Sequence, residues 1–270
     1  TADALQDPLV TGILAPCRVE TVAEDVLRAT AEESARRGTL VRAHATQELS
    51  EREIIRERYD ATPLEHLASV GLLNDRLILA HGVYLDVHPA VLGRDRGELA
   101  ILAGAGVSIV HCPLTNARYA FLLEKLSQYL AQGVNIALGT DSFPPDLIRA
   151  IATGVQTAKA QHGSLGSGLL AEYIEAATLG GARALHRGDL GRIAEGSTAD
   201  LVAFSLDDFR FGVTDDPVRT LVLSGTARDA HFSMVNGRVT MRDSVVPGVD
   251  LDELARDGQR IFEKLRAAYA

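Results

Sequence analysis

Four short apolar runs each end in a residue able to bind a metal or move a proton: "LVRAH" at His44, "LILAH" at His81, "VSIVH" at His111 and "NIALGTD" at Asp141. Successive end residues lie 37, 30 and 30 positions apart, and a strand–helix–strand unit takes about 30 residues or more. The runs are apolar on both faces and alternate with helix-like segments, which predicts a parallel sheet covered on both sides. In a parallel barrel the carboxyl ends of all strands open on one face, so these four residues are expected around a single pocket. A lone histidine at a strand end is ordinarily packed or solvated; the inference rests on four strand ends carrying such residues together.

The rest of the chain supplies the frame. "LVTGILAP" (9–16) reads as a further strand, 23–38 as a helix, 39–44 as a strand, 62–73 as a helix and 77–85 as a strand. A helix ending near 106, the run 107–116, a helix over 121–133, the run 134–142 and helices through 146–186 follow. After about residue 188 helical periodicity fades, and "GDLGRIAEGSTADLVAFSL", "RTLVLSG" and "AHFSMVNGRVTMRD" read as β structure, with Asn236-Gly237 marking a hairpin. The last stretch, 249–270, repeats apolar positions at helical spacing and predicts an amphipathic helix. The expected division is therefore 1–188, a barrel part; 189–248, a small β domain; and 249–270, a terminal helix.

Composition excludes several classes. Hydrophobic residues at 46% and charged residues at 23% are ordinary for a globular chain. The net charge of -9, with basic residues scattered among more numerous acids, argues against a nucleic-acid surface. Two cysteines, Cys17 and Cys112, make no disulfide framework. No apolar run approaches the roughly 20 residues of a membrane span. An intracellular, cytoplasmic protein acting on a small molecule is expected, without nucleic acid or membrane as partner. His66, His88, His162, His186 and His231 do not end apolar runs and are expected to play no direct part.

"VRAHATQ", "LILAHGVYLD", "VHCPLTNARYA" and "IALGTDS" resemble, in order, the strand-five to strand-eight signatures of the amidohydrolase superfamily, in the branch of triazine hydrolases and cytosine- and guanine-type deaminases. "ATLGGARALHRGDLGRIAEGSTADLVAFSLDD" and "MVNGRV" resemble that family's passage into a small β-sandwich. The resemblance implies an α/β fold: a partial (β/α)8 TIM barrel, strands four to eight, with the sandwich and a C-terminal helix appended. It makes His44 a metal ligand, Asp141 a ligand and the acceptor of the metal-bound water's proton, and His81 a group that orients substrate or hydroxide. His111, Asn116 and Ser142 would face the substrate. The implied cofactor is one Zn2+ per site, with Fe2+ as an alternative.

Two departures from the family pattern qualify this. No two histidines here are separated by a single residue, so the paired His-x-His of strand one has no counterpart. The first three βα units, with two further metal ligands, are expected on an N-terminal barrel segment of the same protein. The second departure is Gln47, three residues after His44, where many relatives carry a proton-shuttling Glu; an amide hydrogen-bonds but does not titrate. Glu48, next to it, is expected to face away from the pocket by strand alternation.

The implied reaction is hydrolytic displacement of an amino, alkylamino or halide group from a nitrogen heterocycle by a metal-bound hydroxide, in a protein expected to form a homo-oligomer. Cyclic-amide or amide hydrolysis, or a non-catalytic relative that binds a ring compound, are the alternatives.

Overall fold

The computed structural model describes residues 9–92, 96–166 and 168–269. The start of the expected barrel part and Ala270, the end of the expected terminal helix, lie outside the described residues.

In chain order the first elements are α1 (Glu24–Arg37), β1 (Val41–Ala45), α2 (Leu49–Tyr59), α3 (Pro63–Ser69), β2 (Leu77–His81), α4 (Glu98–Ala105) and β3 (Ser108–His111). They are followed by α5 (Pro113–Arg118), α6 (Leu126–Ala131), β4 (Asn135–Leu138), α7 (Leu147–His162), α8 (Leu170–Glu175) and α9 (Gly181–Ala184). Strands β1 to β4 form one parallel sheet in sequence order. His44 sits opposite Ala80, Ala45 opposite His81, and His111 opposite Leu138.

The apolar run 9–16 is not a regular strand. Its continuation lies beside β1 through isolated parallel bridges, Leu14 to Val41 and Arg18 to His44. The pairing is carried by Leu14 N–H to Leu40 C=O at 3.0 Å, Arg42 N–H to Leu14 C=O at 2.8 Å and Val19 N–H to His44 C=O at 3.2 Å. Pro16 carries no N–H, and Cys17 has φ 51, so a continuous ladder cannot run through them.

Alternation sorts the strand residues onto two faces. Val41, Ala43, Leu77, Leu79, Ile109 and Ile136 pack against helical Leu27, Leu67, Leu102 and Tyr129 in the main core. Ile78 and Ala137, on the other face, join Ala184, Leu40 and Val110 in a smaller cluster. Burial of each such Leu or Ile contributes about 1.5–3 kcal/mol, which is what fixes the register.

Helix boundaries follow local chemistry. Gly38, at φ 65, ends α1, and Thr62 with Glu65 forms a capping box that starts α3. The observed α3 and α6 are shorter than the helices expected over 62–73 and 121–133, and α2 was not anticipated, since "LSEREIIRERY" is too polar to show a clear apolar stripe. Between α8 and α9 the chain makes a π-helical turn, Ala176–Gly180. There a Cβ on Gly180 would stand 2.0 Å from the Ile136 carbonyl oxygen. Only glycine allows this approach to β4.

Beyond residue 188, β5 (Leu201–Phe204), β6 (Ala230–Val235) and β7 (Arg238–Arg242) form a three-stranded antiparallel sheet, where a small sandwich was expected. The hairpin at Asn236-Gly237 is present, both residues at positive φ (48 and 75). "RTLVLSG", expected as β structure, is instead part of α10 (Pro217–Ser224). Pro217 occupies its first turn and the Asp216 side chain accepts from Arg219 N–H at 2.9 Å, so the cap decides what a short apolar run leaves open. Asp146 caps α7 in the same way and also accepts from Ala227 N–H at 3.0 Å, tying the two regions together. The terminal helix is α11 (Leu251–Tyr269), with Leu254, Ile261, Phe262 and Leu265 exposed.

Candidate active site

His44, next to last in β1, is held from the edge segment. Its backbone N–H donates to Cys17 C=O at 2.7 Å, and its ring Nδ1 lies 3.1 Å from the same oxygen. A carbonyl only accepts, so Nδ1 carries a proton and Nε2 is the nitrogen left to meet a ligand.

His81 ends β2 with φ 75, a left-handed conformation that breaks strand alternation at that residue. Its ring centroid lies 5.5 Å from that of His44. Nδ1 is 3.1 Å from Asn116 Oδ1, and Nε2 is 4.0 Å from Asp141 Oδ2. His81 is 1% exposed, and burial lowers its pKa against the opposing pull of Asn116 and Asp141. Burial thus disfavours the charged ring; Nδ1–H goes to Asn116 Oδ1, and Nε2 faces the Asp141 carboxylate. Asn116 is fully buried on α5, and its Nδ2 has no hydrogen-bond partner.

Asp141 follows β4 with φ 56 and a side chain 32% exposed. Thr115 Oγ1 donates to Thr140 C=O at 2.9 Å, joining α5 to the turn that carries Asp141. Thr46, just past His44, also has positive φ (54). Three non-glycine residues in this region, at the carboxyl ends of β1, β2 and β4, therefore hold backbone conformations costing of order 1–3 kcal/mol each, a pattern found at ligand sites.

The structure thus brings together His44, His81, Asp141 and Asn116. His111 is placed differently: it shares strand parity with core residue Ile109, is 3% exposed, and has Tyr173 at 6.3 Å between ring centroids. Its Nδ1 has no partner, and burial pushes its pKa down to about 3. Gln47 is half-buried in the turn after β1 and Ser142 is exposed next to Asp141. Glu48 does not follow alternation, because β1 ends at Ala45; it pairs with Arg18 at 3.4 Å. Cys112 is buried, as expected of a core residue. Four of the other five histidines have local partners: His66 stacks on Tyr59, His88 accepts from Ala90 N–H, His186 meets Asp75 C=O and His231 pairs with Asp243; His162 ends α7.

Imidazole with carboxylate is a donor set for Zn2+ or Fe2+. His44, with Nε2 free and Nδ1–H anchored, has the form of a ligating histidine, and the half-open Asp141 carboxylate suits the same role. Among the described residues no group of three or more His, Cys, Asp or Glu side chains is arranged to hold a metal ion. These two residues therefore fit as part of a metal site. Sequence reasoning missed the Cys17 carbonyl that sets the His44 tautomer and the buried Glu51 beneath the Thr46–Gln47 turn. A backbone carbonyl leaves no side-chain signature, and an acid at the third position of a polar helix looks like any N-terminal acid.

The model of the Amidohydrolase family matches residues 2–240, and the chain belongs to that family. It is 34% identical over 244 residues to 8-oxoguanine deaminase of Pseudomonas aeruginosa, covering 89% of this chain and 52% of that protein. It is 32% identical over 246 residues to 5-methylthioadenosine/S-adenosylhomocysteine deaminase 2 of Archaeoglobus fulgidus, covering 91% and 56%. Among solved structures it superposes on a zinc-bound adenosine deaminase from Xanthomonas campestris with a TM-score of 0.90 at 26% identity, over 98% of this chain and 60% of that one. A triazine hydrolase variant gives 0.84 at 25% identity, over 96% and 57%. The chain spans a little over half the length of these relatives. No helix among the described residues is long and apolar enough to cross a membrane.

Proposed function

We propose that this chain carries the catalytic end of a metal-dependent hydrolase that displaces an amino, alkylamino or halide group from a carbon of a nitrogen heterocycle. The observation that supports the reading best is the meeting of His44, His81 and Asp141 at the carboxyl ends of β1, β2 and β4 of one parallel sheet. The named activities of the relatives, on 8-oxoguanine and 5-methylthioadenosine/S-adenosylhomocysteine, point to the same substrate class. In this reading residues 1–188 are strands four to eight of a (β/α)8 barrel, 189–248 a small β domain and 249–270 a terminal helix. A preceding segment of the same protein completes the barrel and the metal's ligand set, and the whole assembles as a cytoplasmic homo-oligomer.

His44 and Asp141 would hold one Zn2+, or Fe2+, which when bound supplies the Lewis acidity that makes water nucleophilic near neutral pH. Asp141 then accepts a proton from the attacking water. His81, neutral and fixed by Asn116, offers Nε2 to a polar group of water or ring. Gln47 and Ser142 orient the substrate by hydrogen bonds, with Asn116 and His111 closing the wall behind them. Water oxygen bonds to the ring carbon and the carbon–nitrogen or carbon–halogen bond breaks, an amine leaving with the proton that Asp141 took from the water and a halide leaving without one.

The test compares turnover of paired ring substrates that differ only in an amine or a halide, using zinc-loaded full-length protein and its Gln47→Glu variant. A positioned acid contributes typically about 10²–10⁴-fold, so Gln47→Glu should raise amine displacement relative to halide. Absence of turnover on both, in folded zinc-loaded protein, would contradict the reading.

A further inference from the structure

The turn after β1 is bound at both ends of one peptide unit. Thr46 C=O accepts from Val83 N–H at 3.0 Å and Tyr84 N–H at 2.8 Å, in the segment that follows His81. On its other side Thr46 N–H donates to Glu51 Oε1 at 2.5 Å, and Gln47 N–H donates to Glu51 Oε2 at 3.0 Å. Glu51 lies in the first turn of α2 and is 1% exposed. Each oxygen of one carboxylate thus takes one of two consecutive backbone N–H groups. Thr46, at φ 54, is the residue whose left-handed conformation this arrangement must maintain.

Burying a carboxylate for two backbone hydrogen bonds is costly. Burial pushes the Glu51 pKa up to about 7; the two N–H bonds and, more weakly, Arg18 oppose the rise, and nearby Glu20 adds to it. Glu20 is itself 6% exposed, with Oε1 at 2.5 Å from Arg18 Nε and Oε2 without a partner. Thr46 and Gln47 precede Glu48, the N-cap of α2, so these bonds are not the ordinary capping of a helix start. What the carboxylate does is hold the turn bearing Gln47 on α2, while the Thr46 carbonyl ties the same turn to the segment behind His81.

We propose that Glu51 is a positioning residue for the pocket: its buried carboxylate clamps the Thr46 and Gln47 amides and thereby sets the placement of Gln47 relative to His44 and His81. Glu51 touches no substrate in this account and acts only through the turn. The assignment of a role to Gln47 rests on the proposed function; the clamp itself does not.

The experiment has two arms, both in the full-length protein. In the first, residue-resolved amide exchange is measured in wild type, Glu51→Gln and Glu51→Asp. The amide of Gln sets a donor against one of the two N–H groups, and Asp is one methylene too short, so Thr46 and Gln47 should each exchange at least about tenfold faster. Amides in the core strands, such as Leu79 and Ile109, should be unchanged. If Glu51→Gln does not fold, Glu51→Asp decides alone. Unaltered exchange at both amides in either folded variant would overturn the clamp.

In the second arm, kcat and KM are measured on 5-methylthioadenosine and on 8-oxoguanine, with zinc content determined in parallel. Glu51→Gln should lower kcat at least about tenfold at equal zinc content and nearly equal KM. In a Gln47→Ala background the same change should have almost no further effect, because coupled residues are non-additive. Full additivity of the two substitutions would overturn the positioning role while leaving the clamp. If neither probe is turned over by wild type, the substrate reading fails, and the exchange arm still decides the clamp.

Discussion

The burial of His111 makes a quantitative forecast about acid stability. An unfolded histidine titrates near 6.5, whereas burial pushes His111 in the folded protein down to about 3. Between those values the unfolded chain binds a proton that the native one does not, so the His111 contribution is fully present above pH 6.5 and is lost as pH falls. The slope is about 1.4 kcal/mol per pH unit, so about 2–3 kcal/mol disappears between pH 6.5 and 4.5. Urea unfolding of wild type and His111→Asn at pH 7.5, 6.5, 5.5 and 4.5 isolates this term, since the other groups titrate in both proteins and largely cancel in the difference. The wild type should lose about 2–3 kcal/mol relative to the variant over that range. Stability curves that stay parallel would refute the placement of His111 as a neutral core group against Tyr173, and would return it to the open pocket wall.

Gly180→Ala should destabilise by about 1–3 kcal/mol or more, because its Cβ would meet the Ile136 carbonyl and a backbone cannot step aside; a thermal midpoint unchanged from wild type would mean that the π-helical turn does not pack this closely on β4. Asp146→Ala removes both the cap of α7 and the bond to Ala227, and denaturant unfolding should show a loss of about 1–3 kcal/mol. A loss no larger than that of an exposed cap would argue that the Ala227 contact contributes nothing.

The sequence made the parallel sheet legible because its strands are apolar on both faces and end in marked residues at regular intervals; β1 to β4 appear where those runs stand. The edge segment was legible as apolar but not as irregular, since Pro16 and the left-handed Cys17 interrupt pairing without changing the hydrophobic pattern. "RTLVLSG" was misread because seven residues with three apolar members fit either period, and only the Asp216-Pro217 cap separates them. At the site, the residue types at strand ends were readable, but their directions were not. Alternation would send His81 with Leu77 and Leu79 toward the helices, and its positive φ overrides that; His111 obeys alternation and is buried. Glu51 was invisible for a different reason: its partners are backbone N–H groups of a turn whose shape no side chain announces.

The most direct test of the account is the zinc content of full-length protein, measured after metal-free purification and reloading, for wild type, His44→Ala, Asp141→Asn and His66→Ala. His44 and Asp141 are proposed to supply donors to one ion, so either change should reduce bound zinc from about one per chain to a small fraction, with circular dichroism unchanged. His66, buried against Tyr59 on α3, should leave zinc at the wild-type level. Full zinc occupancy in folded His44→Ala and Asp141→Asn would contradict the claim that these strand ends form a metal centre.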